Sequence, residues 1–479
     1  MTTVEDTTRE LPDEARARFE VLRLSADASV AAAIEQLARS GSDRALNRIN
    51  ALDFARKRGL NEDRVVNAFV HASRLGLFDM SWNLLCPGCG GVLDASASLK
   101  SVDKNDYPCA ICAADYAPTL DEMVEVSFTV SQRVRRIGAH DPDRLPMFEY
   151  LRQIFWSSGM DLTDEQFDMM LEKVLLDSVE LRPGEKCILS VQLPEAFVIV
   201  FDPGTHSAQF IDVKGEPTRE RQELTVVYNK VHAHTGTVEM RPGPLRLTIE
   251  NRTDKRALTG LYIAGDDLHH AISKRKVFLT AKRLLTNQAF QDIYRADALD
   301  VNQRLRITSL TVLFSDLKGS TELYERVGDL VAYDLVQSHF RVLNEAIAME
   351  SGAVVKTIGD AVMATFPTPD RGLAAALRMR EVIKGVGGGK AGDLTVKIGL
   401  HEGPCLAVML NERLDYFGQT VNIAARVQGL CQSRSIFATK PVVEEPQAAR
   451  LLSSAGLSPI AQSANLRGIS DALTVYEIP

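Results

Sequence analysis

The spacing of apolar residues changes several times along the chain, and each change marks a different kind of structure. Over residues 1 to 80 it is helical. Ala15 to Leu24, Val30 to Leu37 and Ala45 to Arg58 predict three amphipathic helices, the last ended by Gly59. Asn61 is placed to cap a fourth, which runs through Val65, Val66, Phe69 and Val70 to Leu75. Helix, turn, helix and then the extended Leu77 to Trp82 is a winged-helix-like order. From Glu122 to Gly265 the period becomes two. Short runs from Val124–Val130 to Leu261–Ala264, punctuated by turns such as Asp202-Pro-Gly204 and Arg241-Pro-Gly243, predict a β-sandwich-like regulatory domain. One helical insertion, Leu145 to Asp177, interrupts it. Residues 266–305 return to helical spacing at Phe278, Leu279, Leu284, Leu285, Phe290 and Tyr294, which predicts a connector helix.

From 306 onward strands and helices alternate. Strand Ile307–Phe314, helices over Ser320–Ser351 and a hairpin over 353–366 come first. A helix Arg371–Ile383, strands at Leu394–Gly399 and Cys405–Leu410, a helix Gln419–Leu430 and a last strand Ala472–Ile478 follow. The order is that of a ferredoxin-like βαββαβ domain. The chain thus divides into 1–80, 81–120, 121–265, 266–305 and 306–479, a multidomain α+β organisation fitting its 479 residues.

Composition narrows the classes of function. No apolar run approaches the roughly 20 residues of a bilayer span, and the polar, acidic N-terminus is unlike a signal peptide, so a cytoplasmic protein without membrane contact is expected. The net charge of −8 and the balance of acidic and basic residues over 1–60 disfavour nucleic acid as a partner. The helical unit reads instead as a protein-contact or dimerisation module. Its regulatory ligand or partner is not legible.

Cysteine usage adds a metal site. Cys86-Pro-Gly-Cys89 and Cys109-Ala-Ile-Cys112 are two knuckles nineteen residues apart, the spacing of a four-cysteine zinc ribbon. Four thiolates close the coordination sphere, so a structural zinc is expected, with redox use of either pair as the weaker alternative. His232, His234, His269 and His270 are scattered and stay unassigned.

The densest chemistry lies in Leu313–Phe366. A strand ending in Asp316 turns through Gly319 into a helix that opens with Ser320 and Thr321, and a hairpin carries Lys356 on one arm and Asp360 at the start of the other. Two carboxylates brought together repel unless a cation lies between them, and hard oxygen ligands suit Mg2+ or Mn2+. Backbone N–H groups at the helix start would face phosphate beside that metal. Gly385–Lys390 is no phosphate loop, because its spacer is missing and Ala391 follows the lysine.

Several motifs in order carry a resemblance. Phe-Ser-Asp316-Leu-Lys-Gly-Ser, Val-Lys356-Thr-Ile-Gly-Asp360, Leu-Asp415-Tyr-Phe-Gly-Gln-Thr-Val-Asn422-Ile-Ala-Ala-Arg426 and Leu466-Arg-Gly468 resemble the catalytic domain of class III nucleotidyl (adenylate/guanylate) cyclases. The resemblance implies that Asp316 and Asp360 hold two divalent metal ions. It implies that Lys356 and Asp415 read the base, Asn422 orients the ribose, Arg426 stabilises the pentavalent phosphorus and Arg467 contacts phosphate. It also implies a head-to-tail homodimer, with each site taking its metal aspartates from one chain and the remaining groups from the other.

The ammonium of Lys356 can donate to N1 of adenine and Asp415 can accept from its 6-amino group, whereas guanine presents the reverse order. ATP is the expected substrate, and an adenylate cyclase the expected function. Taken singly, a strand-end aspartate, a hairpin lysine or a polar helix face is ordinary surface; together at this spacing they form a site. The alternatives are a guanylate cyclase, a non-catalytic nucleotide-binding regulator, and a DNA-binding regulator acting through the N-terminal unit.

Overall fold

The computed structural model describes residues 10–102, 106–229, 236–294, 299–300, 303–386, 394–431, 435–469 and 471–479, without the side chains of His269 and Thr321. His232, His234 and most of Gly385–Lys390 lie outside the described residues. The chain divides into two compact units. One holds residues up to 97, 105–118 and 123–279, the other 98–104, 119–122 and 280–479.

The first unit begins with four helices, α1 (Asp13–Ser25), α2 (Ala28–Ser40), α3 (Ala51–Arg58) and α4 (Glu62–Arg74). Asp27, Asn50 and Asn61 accept backbone N–H groups at the starts of α2, α3 and α4. The third helix is shorter than its apolar run, because a 3-10 turn at Arg44–Leu46 and the Asn50 cap break the run. Phe69 on α4 is the hub. It meets Phe54 and Phe78 edge-on at 5.5 and 5.4 Å and stacks on Phe128 at 4.9 Å.

Those rings fasten the helices to a small sheet of β1 (Phe78–Leu85), β2 (Val92–Ser96) and, after β3 (Tyr107–Cys109) and β4 (Ala114–Tyr116), β5 (Val124–Val130), in the order β2-β1-β5. Two expectations are corrected here. Val124–Val130 leaves the sandwich and pairs antiparallel with β1 from Phe78↔Val130 to Leu84↔Val124, and β1 is a central strand rather than one arm of a wing. The pairing satisfies the buried polar face of β5: Val124, Val126, Phe128 and Val130 share one face, and on the other Asn83 of β1 donates to Glu125 Oε2 at 3.0 Å and to Ser127 Oγ at 2.8 Å.

The helical insertion contains α5 (Met147–Tyr150), a π-turn at Leu151–Phe155 and α6 (Asp164–Val174). Eight strands follow: β6 (Leu175–Leu181), β7 (Lys186–Leu193), β8 (Phe197–Asp202), β9 (Ser207–Val213), β10 (Gln222–Tyr228), β11 (Val238–Met240), β12 (Gly243–Asn251) and β13 (Ala257–Ile263). They form two sheets, β10-β12-β7 and β11-β9-β8-β13-β6. Leu245, Leu247 and Ile249 alternate inward along β12 and share one core with Val198, Val200, Ile211 and Leu261 of the other sheet. Each such side chain contributes roughly 1.5–3 kcal/mol by burial.

The single connector helix does not form. Its span is broken into α7 (Asp266–Ser273), α8 (Ala281–Leu285) and α9 (Gln288–Tyr294), and the units divide between Leu279 and Thr280. Local caps explain the breaks: Thr280 Oγ1 accepts Arg283 N at 3.2 Å, and Asn287 Oδ1 accepts Phe290 N at 2.9 Å.

The second unit continues with β14 (Arg304–Leu317), α10 (Ser320–Val327), α11 (Asp329–Met349), β15 (Ala353–Ile358), β16 (Ala361–Phe366), α12 (Pro369–Val382), β17 (Val396–Leu410), β18 (Arg413–Phe417) and α13 (Gln419–Gly429). Then come β19 (Ile436–Thr439), α14 (Lys440–Val443), α15 (Pro446–Ser454), β20 (Ile460–Ala464) and β21 (Leu473–Ile478). The sheet order is β15-β16-β14-β17-β19-β21-β20, with β18 folded back on β17. Its β17-β14-β16-β15 portion is the ferredoxin-like arrangement.

The two strands expected at 394–399 and 405–410 are one strand, β17. Pro404 interrupts nothing, because the register with β14 shifts between Ile307 and Leu310, so the proline falls at a bulge where no ladder N–H is needed. On one face, α11, α12 and α15 cover a core that includes Leu313, Phe366 and Leu400. On the other, α13 lies close against β17. A Cβ at Gly399 would stand 2.1 Å from Gln428 N, so only glycine admits the helix there. Among the described residues no helix is long and apolar enough to cross a membrane.

Candidate active site

Three groups of candidate residues assemble on the second unit. Asp316 lies near the end of β14, and Asp360 follows Gly359, whose φ of 63° makes the tight β15–β16 turn. The register Ser315↔Val362 brings strand end and turn together. Burial first, and then the charge of Asp360, push the Asp316 carboxyl above its ordinary range; Lys397, its registered partner, and hydrogen bonds from Leu317 and Gln428 act against the rise. Asp360 Oδ2 is buried and lacks a hydrogen-bond partner. Two crowded carboxylates, one with an orphaned oxygen, fit a hard divalent cation.

Gly319, with φ 69°, opens α10, and Ser320 is its first residue. The left-handed φ at 319 favours glycine, and the Glu322 carboxylate of the first turn lies beside it, Oε2 standing 2.6 Å from where a Cβ would be. The side chain of Thr321 lies outside the described atoms.

Lys356 on β15 and Asp415 on β18 form the second group. Lys356 Nζ donates to Asp415 Oδ2 at 2.6 Å, with side-chain exposures of 39% and 6%. The other oxygen, Asp415 Oδ1, accepts Tyr416 N at 2.8 Å, which fixes the carboxylate. Tyr416 is itself buried.

Asn422 and Arg426 form the third, one helical turn apart on α13, the first exposed and the second half-buried. The Arg426 guanidinium lies against Gly468, 3.4 Å from where its Cβ would stand, so the Leu466–Gly468 segment packs on it; Arg467 is exposed.

Sequence reasoning missed Lys397 and Gln428, which act on Asp316, and His339. That histidine is fully buried on α11; burial lowers its pKa against the opposing influence of Asp360. Lys397 had a signal, a lone charge in an apolar strand. Gln428 had none, because α13 turns it away from the Asn422–Arg426 face.

In the first unit the four cysteines converge. Cys86 and Cys112 Sγ are 3.6 Å apart, as are Cys89 and Cys109 Sγ, and all four sulfurs lie within 4.8 Å of one another. The spacing is far beyond the roughly 2.05 Å of a disulfide and suits thiolates around one tetrahedral metal ion. Arg275 braces the first knuckle, donating to the carbonyl oxygens of Pro87 and Gly88 at 3.3 and 3.0 Å.

Comparison with known proteins gives these units their family. Residues 12–292, more than half of the chain, match a family of unknown function (DUF5939), and residues 303–451 match the adenylate and guanylate cyclase catalytic domain. The chain belongs to the DUF5939 family and carries a class III cyclase catalytic domain. An adenylate cyclase of Anabaena cylindrica is 29% identical over 185 residues, 35% of this chain and 36% of that protein. Adenylate cyclase 2 of Rhizobium meliloti is 32% identical over 134 residues, 25% of this chain and 37% of that protein. The matches thus span little more than a third of either relative. Among solved structures, the adenylyl cyclase CyaB from P. aeruginosa aligns with 37% of this chain and 96% of its own, at 22% identity and a TM-score of 0.32. Every candidate residue of the cyclase domain except Arg467 falls within the matched 303–451.

Proposed function

We propose that this DUF5939 protein is an adenylate cyclase that converts ATP to 3′,5′-cyclic AMP and pyrophosphate. The observation that carries the reading is the Lys356–Asp415 pair, a donor and an acceptor held 2.6 Å apart, on the same domain as the crowded Asp316 and Asp360. Lys356 donates to N1 of adenine and Asp415 accepts from the 6-amino group, so the base takes the place of the contact the two make with each other. Guanine would meet donor with donor. Asn422 orients the ribose so that its 3′-oxygen faces the α-phosphorus. Arg426 holds the charge that grows on the phosphoryl oxygens as the new O–P bond forms and the bond to pyrophosphate breaks. The N–H groups from Gly319 to Thr321 receive phosphate, and Arg467 adds a contact at the rim. Two divalent cations, Mg2+ or Mn2+, held by Asp316 and Asp360, would lower the pKa of the 3′-hydroxyl and spread the developing charge.

Each site joins the Asp316–Asp360 half of one protomer to the Lys356, Asp415, Asn422 and Arg426 half of its partner, which makes a symmetric homodimer the active species. Cys86, Cys89, Cys109 and Cys112 hold a structural zinc ion, in keeping with a reducing, cytoplasmic setting. The N-terminal unit regulates the catalytic one.

The test is product formation by the purified full chain given ATP or GTP with Mg2+ and with Mn2+. Cyclic AMP in excess of cyclic GMP supports the reading. Silence with ATP still bound replaces it with a non-catalytic nucleotide-binding regulator. Mixing Asp360→Ala with Arg426→Ala chains should restore part of the activity through one intact mixed site; none from demonstrably mixed dimers counts against shared sites.

A further inference from the structure

A second site lies in the first unit, far along the chain from any residue of the cyclase domain. A cavity of about 450 Å3, within the size range of small-molecule sites, is bounded by α3, the 3-10 turn before it and the α5–α6 segment. Six basic side chains line it against two acidic ones, Asp53 and Asp164. The acids are already engaged. Asp164 pairs with Arg44, and Asp53 with Lys57 at 2.7 Å. Arg152 is held by Glu149 and Asp168, and Lys276 by Asp161 at 3.4 Å.

Two guanidinium groups stand apart from this pairing. Arg48 donates to the Ile154 carbonyl oxygen, and its own backbone is held in the left-handed region, φ 43°. Burial lowers the pKa of Arg48 and the Glu125 charge opposes this, yet the Glu125 oxygens are taken by Asn83 at 3.0 Å and Ser158 at 2.6 Å. Arg58 lies over the Phe54 ring, 4.2 Å from its centroid. In addition, Gln153, 8% exposed, has a buried Oε1 without a hydrogen-bond partner, and it lines the same cavity as Trp156 and Phe167. An excess of planar cations and a vacant acceptor in one cavity describe a ligand with anionic groups and a hydroxyl or amine.

We propose that this cavity binds a small organic polyanion, a phosphate ester or a di- or tricarboxylate, with Arg48 and Arg58 receiving the anionic groups and Gln153 Oε1 a ligand hydroxyl. A guanidinium fork accepts either anion, so the probes separate the two sources: ribose 5-phosphate and citrate. Trp156 is a built-in reporter, since the chain has only one other tryptophan, Trp82. The full chain carrying Trp82→Phe is titrated with each probe by fluorescence, and the unmodified chain by calorimetry.

Binding of one probe with a change in Trp156 emission is expected. Its Kd should weaken about tenfold or more in Arg58→Ala, the loss of one charge-assisted contact, and stay put in Arg426→Ala, which alters only the cyclase domain. Arg58 is exposed, so that variant tests binding rather than folding. Silence by both methods with both probes overturns the proposal. So does binding that Arg58→Ala leaves unchanged or that Arg426→Ala abolishes.

Discussion

Replacing Asp360 by asparagine tests the carboxylate pair more sharply than replacing it by alanine, because it changes charge while keeping shape. In the metal-free chain Asp360 Oδ2 is buried without a partner, and the Asp360 charge helps push the Asp316 carboxyl upward. An unsatisfied buried polar group costs about 1–3 kcal/mol. Both residues are only half-buried, so solvent screening reduces the relief on neutralising one of them to about 1 kcal/mol. For a unit of some 200 residues that is a rise of roughly 2–4 °C in Tm.

Metal reverses the comparison. At a hundredfold excess over Kd a bound ion adds about 2.7 kcal/mol to the wild type and little to the variant. Scanning calorimetry of the full chain, with and without MnCl2, follows the transition that responds to metal. Asp360→Asn should melt higher than wild type without metal, gain little from Mn2+ and make no cyclic AMP. A variant that melts lower without metal and keeps the full Mn2+ shift would refute the reasoning.

Asp415→Asn should keep the Tyr416 N–H contact but lose the charge that Lys356 sees. Hydrogen bonds to charged groups are worth about 1.5–3 kcal/mol, so kcat/KM for ATP should fall roughly 10–150-fold while GTP loses less; an unchanged ATP-to-GTP ratio argues against base reading by this pair. Stripping metal from the cysteine cluster should raise amide hydrogen exchange in β1–β4, and an unaltered exchange pattern removes its structural role. His401, buried with Nδ1 2.7 Å from Thr439 Oγ1, has its pKa lowered by burial to about 4. The unfolded chain then takes up this proton first, so stability contributed by the neutral ring is lost as pH falls from about 6.5 towards 4, by no more than about 3 kcal/mol. His401→Gln should flatten that part of the stability–pH curve, and a slope identical to wild type would show that other groups set it.

The periodicity of the chain and its motifs made different parts of the molecule legible. Helices with local caps, such as α4 behind Asn61, and strands with strict alternation, such as β12, follow from short-range chemistry and could be read directly. Pairing partners could not. Nothing local tells Val124–Val130 to join β1 rather than the sandwich, because its alternation of Val and Phe with Glu, Ser and Thr suits either sheet. Residues 394–399 and 405–410 read as two strands, because the place of Pro404 within one strand depends on a bulge in the neighbouring strand. The connector looked like one helix because its apolar spacing is helical, while Thr280 and Asn287 terminate the helix through their side chains. At the site, the cyclase residues were legible as motif positions. Gln428 and the unpaired oxygen of Asp360 became visible only once α13 and the hairpin were packed.

The segment that joins the units is fastened to a particular part of the catalytic domain. Gln288 Oε1 accepts Val354 N on the edge strand β15 at 2.8 Å, and the Tyr416 hydroxyl of β18 reaches the Leu285 carbonyl oxygen at 3.5 Å. Those two elements carry Lys356 and Asp415. A torque on residues 280–294 would therefore arrive first at the groups proposed to read the base. For the proposed cyclase this would be gain control rather than an on–off switch: the nucleotide concentration needed for half-maximal rate, and the choice between adenine and guanine, would shift before the speed of the chemical step does.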